Sequence, residues 1–253
     1  IVDHYAIDQA WQLALTGLYT KLMVIDDLAD RHHQCDLLLD QTYGRQCQDY
    51  QNLVPEYCQM LLGSQYALLR SEFIKWREYS LKRRLNPEFK HLLITMGGVD
   101  TENVTCQLLE KLRRCELPWG LKVTVVLGAL APHVEEVRGV SSGFNCDIEI
   151  KVGINNMAEL MANADICIGA AGSTSWERCC LGLPTLMIVL ADNQKVIARK
   201  LEESGAVLVL DRQPLEDLCK PFYVVWRNLE SLSDQSAQIV DGKGLQRVVE
   251  RLK

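Results

Sequence analysis

The fold is decided by the stretch ADICIGAAGSTSWERCC, residues 164–180. It opens with an apolar run typical of a buried strand, continues through small residues, and ends in a pattern that predicts a helix beginning at Ser173. Strands that enter helices through such turns build parallel sheets. Because ligands of open parallel sheets bind outside the carboxyl ends of the strands, this turn is also the first candidate for a site.

Apolar runs and amphipathic segments alternate on both sides of this stretch. We predict strands at 91–96, 121–127, 147–152, 164–169, 185–189 and 206–210. We predict helices at 102–115, 132–138, 155–163, 173–181 and 193–204, and further helices that fill the tail to Lys253. This alternation predicts an α/β fold made of βαβ units around a parallel sheet.

The domain boundary is predicted at Asn86-Pro87, after an amphipathic helix expected at 71–84. Residues 87–240 then form a doubly wound domain, and 241–253 form a C-terminal helix. Residues 1–86 contain two predicted strands, at 21–25 and 36–39, which is too few for a complete domain. We interpret them as the back half of an N-terminal domain. The opening residues IVDHY are typical of the end of a buried strand, so we expect further sequence upstream.

The composition limits the class of partner. The chain has 253 residues and a formal net charge of −6, which favours neither nucleic acid nor an anionic membrane as a partner. No apolar run approaches the roughly 18 residues that a membrane helix needs. Ten cysteines are present without a Cys-x-x-Cys pair, and several lie in apolar runs. We therefore expect reduced core cysteines in a cytoplasmic protein.

The first candidate loop follows the strand predicted at 91–96. Gly97 and Gly98 would let the backbone approach a phosphate, and the next helix would offer free N–H groups to it. Asp100 lies in the same turn and is a further candidate for substrate binding. Two glycines after a strand are also common in a turn without any ligand, so this signal is weak by itself.

The second candidate loop lies in the stretch that decides the fold. Gly172, Ser173 and Thr174 bring hydroxyl and amide groups to the positive end of a helix, which suits a diphosphate. Glu177 lies one turn further on, where its carboxylate could accept hydrogen bonds from both ribose hydroxyls. The alternative is purely structural, with Ser173 or Thr174 as the helix cap and Glu177 completing a capping box.

The third candidate loop follows the strand predicted at 185–189. Asn193 and Gln194 begin the next helix at the same edge of the sheet, and their amides could bond a base, a pyrophosphate or a sugar. The alternative is that Asp192 or Asn193 only caps that helix.

Taken together, the three loops resemble the donor-nucleotide motif of GT-B-fold enzymes that use UDP-sugars. The whole chain resembles the family of UDP-2,4-diacetamido-2,4,6-trideoxy-β-L-altropyranose hydrolases of pseudaminic acid biosynthesis. The matching pieces are IVDHY at 1–5, Asp26-Asp27, HQCDLLL at 33–39, GSQYALLR at 63–70, MGGVD at 96–100, and the group of Ser173, Glu177, Asn193 and Gln194.

This resemblance implies a GT-B-like protein with two Rossmann-like domains and the substrate in the cleft between them. The C-terminal domain would hold UDP, while water attacks the anomeric carbon and UDP leaves without a metal or other cofactor. By position, Gly97 and Gly98 would approach the phosphates and Glu177 the ribose. The diphosphate would lie on residues 172–174. The sugar side would be lined by four residues, which are Asn193, Gln194, Tyr5 and His4.

The family's catalytic histidine would lie upstream of Ile1, so the resemblance assigns the main base to no residue of this chain. Tyr5 and Asp27 are accessory catalytic candidates, and Tyr5 is a poor base because the usual pKa of tyrosine is about 10. Asp26-Asp27 could orient a catalytic group or only cap a turn. His32-His33 does not predict a metal site, because adjacent residues of an extended segment point to opposite faces.

Three functions remain open from the sequence. The first is a hydrolase of a UDP-linked diacetamido-trideoxy sugar. The second is a GT-B glycosyltransferase that passes the sugar to an acceptor, and the third is a chain that binds UDP without turnover. All three predict a UDP-sugar partner, and we expect a monomer that binds neither nucleic acid nor membrane.

Overall fold

Short apolar runs near the amino terminus form three parallel strands in the computed structural model, which describes residues 1–211 and 218–252. They are β1 (Met23–Ile25), β2 (Leu37–Asp40) and β3 (Gln59–Leu62), and they lie side by side in chain order. Val2 adds a parallel bridge to Val24. The sequence predicted β1 and β2, whereas β3 is an additional strand that the sequence analysis did not identify.

These strands belong to a compact unit that comprises Ile1–Leu69 and Asp241–Lys253. The first helix, α1 (Gln9–Ala14), begins where the Asp8 carboxylate accepts the N–H groups of Ala10 and Trp11. One face of the sheet packs against the last helix of the chain (Gly244–Leu252), whose Val248 is buried against the sheet residues Met23, Leu37, Leu39 and Leu61. The predicted C-terminal helix therefore belongs to this unit.

A second compact unit, Arg70–Val240, contains a six-stranded parallel sheet. Its strands are β4 (His91–Thr95), β5 (Lys122–Leu127), β6 (Asp147–Val152), β7 (Ile166–Ala170), β8 (Thr185–Val189) and β9 (Leu208–Asp211). Every residue of β7 and β8 is buried. Continuous apolar runs of this kind arise because helices cover both faces of a parallel sheet.

Helices connect these strands and cover the sheet. They are α2 (Ser71–Arg83), α3 (Val104–Leu112), α4 (Val134–Ser141), α5 (Met157–Asn163), α6 (Thr174–Cys180), α7 (Lys195–Glu203), α8 (Cys219–Arg227) and α9 (Leu229–Ile239), and the last helix of the chain is α10. The predicted α/β alternation is confirmed, with element ends differing by a few residues. The expectation of helices up to Lys253 falls partly outside the described residues, which omit 212–217 and Lys253.

The strand order explains where a ligand could bind. The order is β6-β5-β4-β7-β8-β9, so the chain moves outward from β4 in one direction and then returns to β7 and moves outward in the other. The reversal lies between β4 and β7. Loops that leave neighbouring strands in opposite directions open a crevice at the carboxyl edge of such a sheet, where ligands bind.

Two expectations differ from the structure. The contact boundary falls between Leu69 and Arg70 rather than at Asn86-Pro87, because α2 packs against α5 and α6 of the second unit. The expectation that all ten cysteines are reduced is wrong, because Cys115 and Cys219 form a disulfide with Cα atoms 5.3 Å apart. Their separation of 104 residues gives no pairing signal in the sequence. Within the described ranges, no helix is long and apolar enough to cross a membrane.

Candidate functional site

The three predicted loops leave the carboxyl ends of three neighbouring strands. Thr95 at the end of β4 is in register with Gly169 of β7, and Ala170 of β7 is in register with Ile188 of β8. The Ala171 amide also donates to the Ile188 carbonyl oxygen at 3.0 Å. The loops after β4, β7 and β8 therefore share one edge of the sheet, and the first two flank the reversal point.

The loop after β4 has an open backbone. Gly97 has a φ of +94°, which an L side chain rarely adopts, and no atom lies within 4 Å of where a Cβ would stand on either Gly97 or Gly98. On its other side the loop is tightly packed, because a Cβ on Gly128 would collide with the Gly98 carbonyl oxygen. A ligand could thus approach the Gly97-Gly98 backbone closely, from one side only.

Asp100 was expected to bind substrate, but in the structure its carboxylate contacts the backbone of the next helix. One carboxylate oxygen accepts the Val104 amide at 2.8 Å and the other accepts the Thr105 amide at 2.9 Å. The expectation that α3 offers free N–H groups to a phosphate is therefore wrong for these two amides, because a carboxylate of the chain already occupies them. In this structure Asp100 stabilises the start of α3.

The loop after β7 does not use its hydroxyls as helix caps. Ser173 precedes α6 in a helical conformation, and its side chain makes no capping hydrogen bond, so the structural alternative of a capping box is not observed. Ser173 is exposed, and Gly172 and Thr174 are partly buried. Residues 172–174 therefore present polar groups at the sheet edge.

Glu177 lies one turn into α6 with 17% of its side chain exposed. Burial raises the pKa of its carboxyl, while the positive charges of Arg70 and Arg178 act in the opposite direction. The nearest cation is Arg70, whose Nη2 lies 3.8 Å from Glu177 Oε1 and 2.9 Å from Glu72 Oε1. A partly desolvated carboxylate with a distant partner retains capacity to accept hydrogen bonds from a ligand.

The loop after β8 orients one of its two predicted side chains. Gln194 Oε1 accepts a hydrogen bond from the backbone N–H of Leu190 at 2.9 Å. This leaves the side-chain NH2 group of Gln194 as the donor on the other side of its amide. Asn193 is exposed, and neither the short 3₁₀ turn Asp192–Gln194 nor α7 has a side-chain cap. The capping alternative for this loop is therefore not observed.

The other candidates lie in the first unit, at the carboxyl end of β1. The Tyr5 hydroxyl donates to Asp27 Oδ2 at 3.2 Å, and His4 Nδ1 accepts the Ala6 amide at 3.0 Å. Tyr5 and Asp27 are exposed as whole residues. The Asp27 carboxyl is nevertheless partly shielded from water by its surroundings, and this desolvation raises its pKa. The structure thus joins Tyr5 and Asp27 in one hydrogen-bonded pair.

A buried network beside this pair was not predicted as a unit. The Tyr50 hydroxyl lies 2.8 Å from both Asp26 Oδ2 and Asp40 Oδ2, and Arg31 Nη2 lies 2.9 Å from Asp26 Oδ1. Arg45 donates to Asp40 at 2.5 Å and to the Asp27 carbonyl oxygen at 2.6 Å. Burial opposes ionisation of Asp26, but its pKa is held well below the usual value by four neighbours, which are His33, Ala29, Tyr50 and Arg31. Asp26 also caps the turn after β1, as one of the two interpretations expected, because its Oδ2 accepts the Ala29 amide at 2.9 Å.

Two arginines near the second loop carried no prediction. Arg70 ends the GSQYALLR motif, and Arg178 follows Glu177 in a segment that looks like an ordinary helix surface. The signal that identifies them is three-dimensional, because Arg70 approaches Glu177 and Arg178 is buried beneath the loop. Among the residues that the structure describes, no group of three or more His, Cys, Asp or Glu side chains is arranged to hold a metal ion.

The sheet edge and its loops lie within a recognised domain family. The model of the glycosyltransferase family 28 C-terminal domain matches residues 92–251, more than half of the chain. The chain belongs to this family. The matched range of this family 28 chain contains all three loops, from Gly97 to Gln194.

Two curated relatives have nearly the same sequence identity to this family 28 chain. An uncharacterized protein of Methanocaldococcus jannaschii is 29% identical over 198 residues, which are 77% of this chain and 40% of that protein. The UDP-2,4-diacetamido-2,4,6-trideoxy-beta-L-altropyranose hydrolase of Campylobacter jejuni is 28% identical over 208 residues, which are 81% of this chain and 71% of that protein. The chain therefore spans less than half of the first relative and more than two thirds of the second.

A solved structure shows the fold. MurG of Acinetobacter baumannii superimposes with a TM-score of 0.69 at 17% identity, over 96% of this chain and 69% of that protein. The family 28 chain thus has a GT-B-like glycosyltransferase fold with parallel sheets, as the sequence predicted. One of the curated relatives, the Campylobacter jejuni protein, is named as a UDP-sugar hydrolase, which supports an enzyme of that general kind.

Proposed function

We propose that the second unit binds the UDP group of a UDP-sugar at the loops after β4, β7 and β8. We further propose that the protein hydrolyses a UDP-linked 2,4-diacetamido-2,4,6-trideoxyhexose to UDP and free sugar in nonulosonic acid biosynthesis. The observation that carries the proposal is that three polar loops share one edge of the sheet, two of them flanking the reversal point, beside the partly buried Glu177.

Each loop supplies a different part of the recognition in this proposal. The open backbone of Gly97-Gly98 accommodates a phosphate, and residues 172–174 hold the diphosphate. Glu177 accepts hydrogen bonds from the two ribose hydroxyls. Asn193 and the side-chain NH2 group of Gln194 form hydrogen bonds on the sugar–phosphate side. Asp100 supports this arrangement indirectly by fixing the start of α3.

The proposed reaction is a displacement at the anomeric carbon. Water forms a new bond to C1, the bond from C1 to the phosphate oxygen breaks, and UDP leaves with the bonding electrons. The water proton passes to a base, and Asp27 with its Tyr5 partner is the accessory candidate in this chain. The similarity to the Campylobacter jejuni hydrolase over 71% of its length supports hydrolysis.

A transferase is the second candidate, because the matching family is named for glycosyltransferases. It would use the same UDP-binding loops and pass the sugar to an acceptor instead of water. The two candidates separate in one assay, which follows UDP release from the UDP-linked sugar with no acceptor added. Acceptor-free release supports the hydrolase, and release that requires an acceptor supports the transferase.

The proposed site is tested by calorimetric titration of the chain with UDP. We expect micromolar binding that requires the ribose and the diphosphate, so that uridine binds much more weakly. Failure of the chain to bind UDP would contradict the assignment of the three loops. Binding without release of UDP from the sugar would support the third function, a UDP-binding chain without turnover.

A further inference from the structure

Arg178 is a buried cation beneath the loop after β7. Its residue exposure is 1%, and its Nη2 donates to the Ala170 carbonyl oxygen at 2.7 Å and to Ser175 Oγ at 3.0 Å. Its Nη1 donates to Thr174 Oγ1 at 3.3 Å, while its Nε is buried without a hydrogen-bond partner. The guanidinium thus lies against the start and the end of the segment 170–175.

The charge of Arg178 makes no close ion pair. Among the described residues, no Asp or Glu oxygen lies within 4.0 Å of this guanidinium, and Glu177 acts on it only at longer range. Its close partners are one carbonyl oxygen, two hydroxyl oxygens and the thiol of Cys167. Burial of an unpaired charge is costly, and buried arginines in proteins normally have an anion as a partner. The site therefore retains a positive charge that an incoming anion can balance.

The strand is adapted to this guanidinium. A Cβ on Gly169 would collide with Arg178 Nη1, so glycine at the penultimate position of β7 leaves the space that the guanidinium occupies. The helix that follows, α6, has only seven residues, so it contributes few aligned peptide dipoles. The full charge of Arg178 adds the positive electrostatic potential that such a short helix supplies only weakly.

We infer that Arg178 is a positioning residue that selects ligands with a diphosphate over the bare nucleoside. The guanidinium does this from beneath the loop 170–174, through its charge and through its bonds to Ala170 and Thr174. This inference rests on the proposed binding of UDP and names the part of the ligand that Arg178 favours. It predicts that the contribution of Arg178 to affinity depends on the phosphate groups.

A purely structural role for Arg178 makes a different prediction. If the guanidinium only ties the loop together, Arg178→Lys would lose UDP affinity as Arg178→Gln does, because an ammonium group cannot reproduce the three guanidinium bonds to the loop. If the charge matters, Arg178→Lys would keep the UDP affinity that Arg178→Gln loses. The comparison of these two variants, with uridine as the ligand that lacks phosphates, therefore separates the two roles.

The experiment measures binding of UDP and uridine by the unaltered chain and by Arg178→Gln, Arg178→Lys and Ser175→Ala. Arg178→Gln removes the charge and keeps a donor, and we expect it to weaken UDP by roughly 10- to 50-fold, as for a unit charge several ångströms from a phosphate at an effective dielectric constant of about 20. Uridine should change less than about threefold. Arg178→Lys keeps the charge and should keep the ratio of affinities within about threefold of the parent.

Ser175→Ala removes a hydroxyl partner of Arg178 while the charge remains, so it should also preserve the ratio. Equal losses for UDP and uridine in Arg178→Gln would overturn the role of Arg178 and leave the UDP site intact. If Arg178→Gln does not fold, a ratio that collapses in Arg178→Lys would overturn it instead. Binding of neither ligand by the unaltered chain would overturn both the UDP proposal and this one.

Discussion

Replacement of Glu177 by alanine should abolish ribose recognition and weaken UDP binding by roughly 150-fold. The carboxylate is mostly buried, and its nearest cation, Arg70, is 3.8 Å away, too far for a strong hydrogen bond that the ribose would have to displace. Two hydrogen bonds to a charged acceptor in this setting are worth about 3 kcal/mol net, at 1.4 kcal/mol per tenfold change in affinity.

The assay is calorimetric titration of the parent and Glu177→Ala with UDP and with 2′-deoxy-UDP. The deoxy ligand should bind the parent at least tenfold more weakly than UDP, and it should bind Glu177→Ala as well as UDP does. Glu72→Gln is the matched control, because Glu72 contacts the same Arg70 at 2.9 Å but has no proposed ligand contact. If the losses from Glu177→Ala and from removal of the ribose 2′-hydroxyl add up, the reasoning is refuted, because additive losses mean that the carboxylate and the hydroxyl are not coupled.

The same carboxyl predicts a pH dependence. Burial raises the pKa of Glu177, and the charged groups that face it are Arg70, Arg178 and Glu72. Because the ionised form accepts the ribose hydroxyls, affinity should fall as the pH drops through this raised pKa, at a higher pH than for an ordinary glutamate. Glu177→Gln should remove this acid limb, and only the titration of the UDP phosphate should remain. A limb that persists unchanged in Glu177→Gln would exclude Glu177 as its origin.

Three further changes test other parts of the structure. Gly128→Ala should destabilise the protein by about 1–3 kcal/mol in chemical denaturation through its collision with the loop after β4, whereas Gly139→Ala, with open space around it, should not destabilise it. Alkylation in denaturant without reductant should label eight of the ten cysteines, because denaturant exposes the buried thiols and the disulfide protects the other two. Reduction of Cys115–Cys219 should lower the free energy of unfolding by up to about 5 kcal/mol. Asp27→Asn should slow UDP release roughly 100-fold if Asp27 serves as a base, and an unchanged rate would remove it from the mechanism.

The sequence predicts the second unit well because its signals are local. Runs such as Thr185–Val189 are apolar throughout and are bounded by turn residues, so strand periodicity and length suffice to identify them. The strand Gln59–Leu62 was missed because four residues with mixed exposure resemble part of a loop. The strand and helix alternation predicts that the three loops share the carboxyl edge of the sheet, whereas the strand order and its reversal between β4 and β7 came from the structure.

Other parts of the site depend on contacts that no local pattern carries. Asp100 looked like a ligand residue, but its two oxygens accept amides four and five residues along, which only the turn geometry reveals. Arg178 occupies a helix position where a solvated cation is common, and only the fold shows that it is buried. The partner of Cys115 is equally hidden, because sequence spacing does not predict a pairing across 104 residues.

The contact between Gly98 and Gly128 has a consequence for the cost of binding. Because these two backbones touch without intervening side chains, the loop after β4 cannot shift without displacing the loop after β5. This contact limits the ways in which the wall of the crevice can move before a ligand arrives. We therefore expect a smaller loss of conformational entropy in this loop on association, which leaves more of the contact energy to be expressed as affinity.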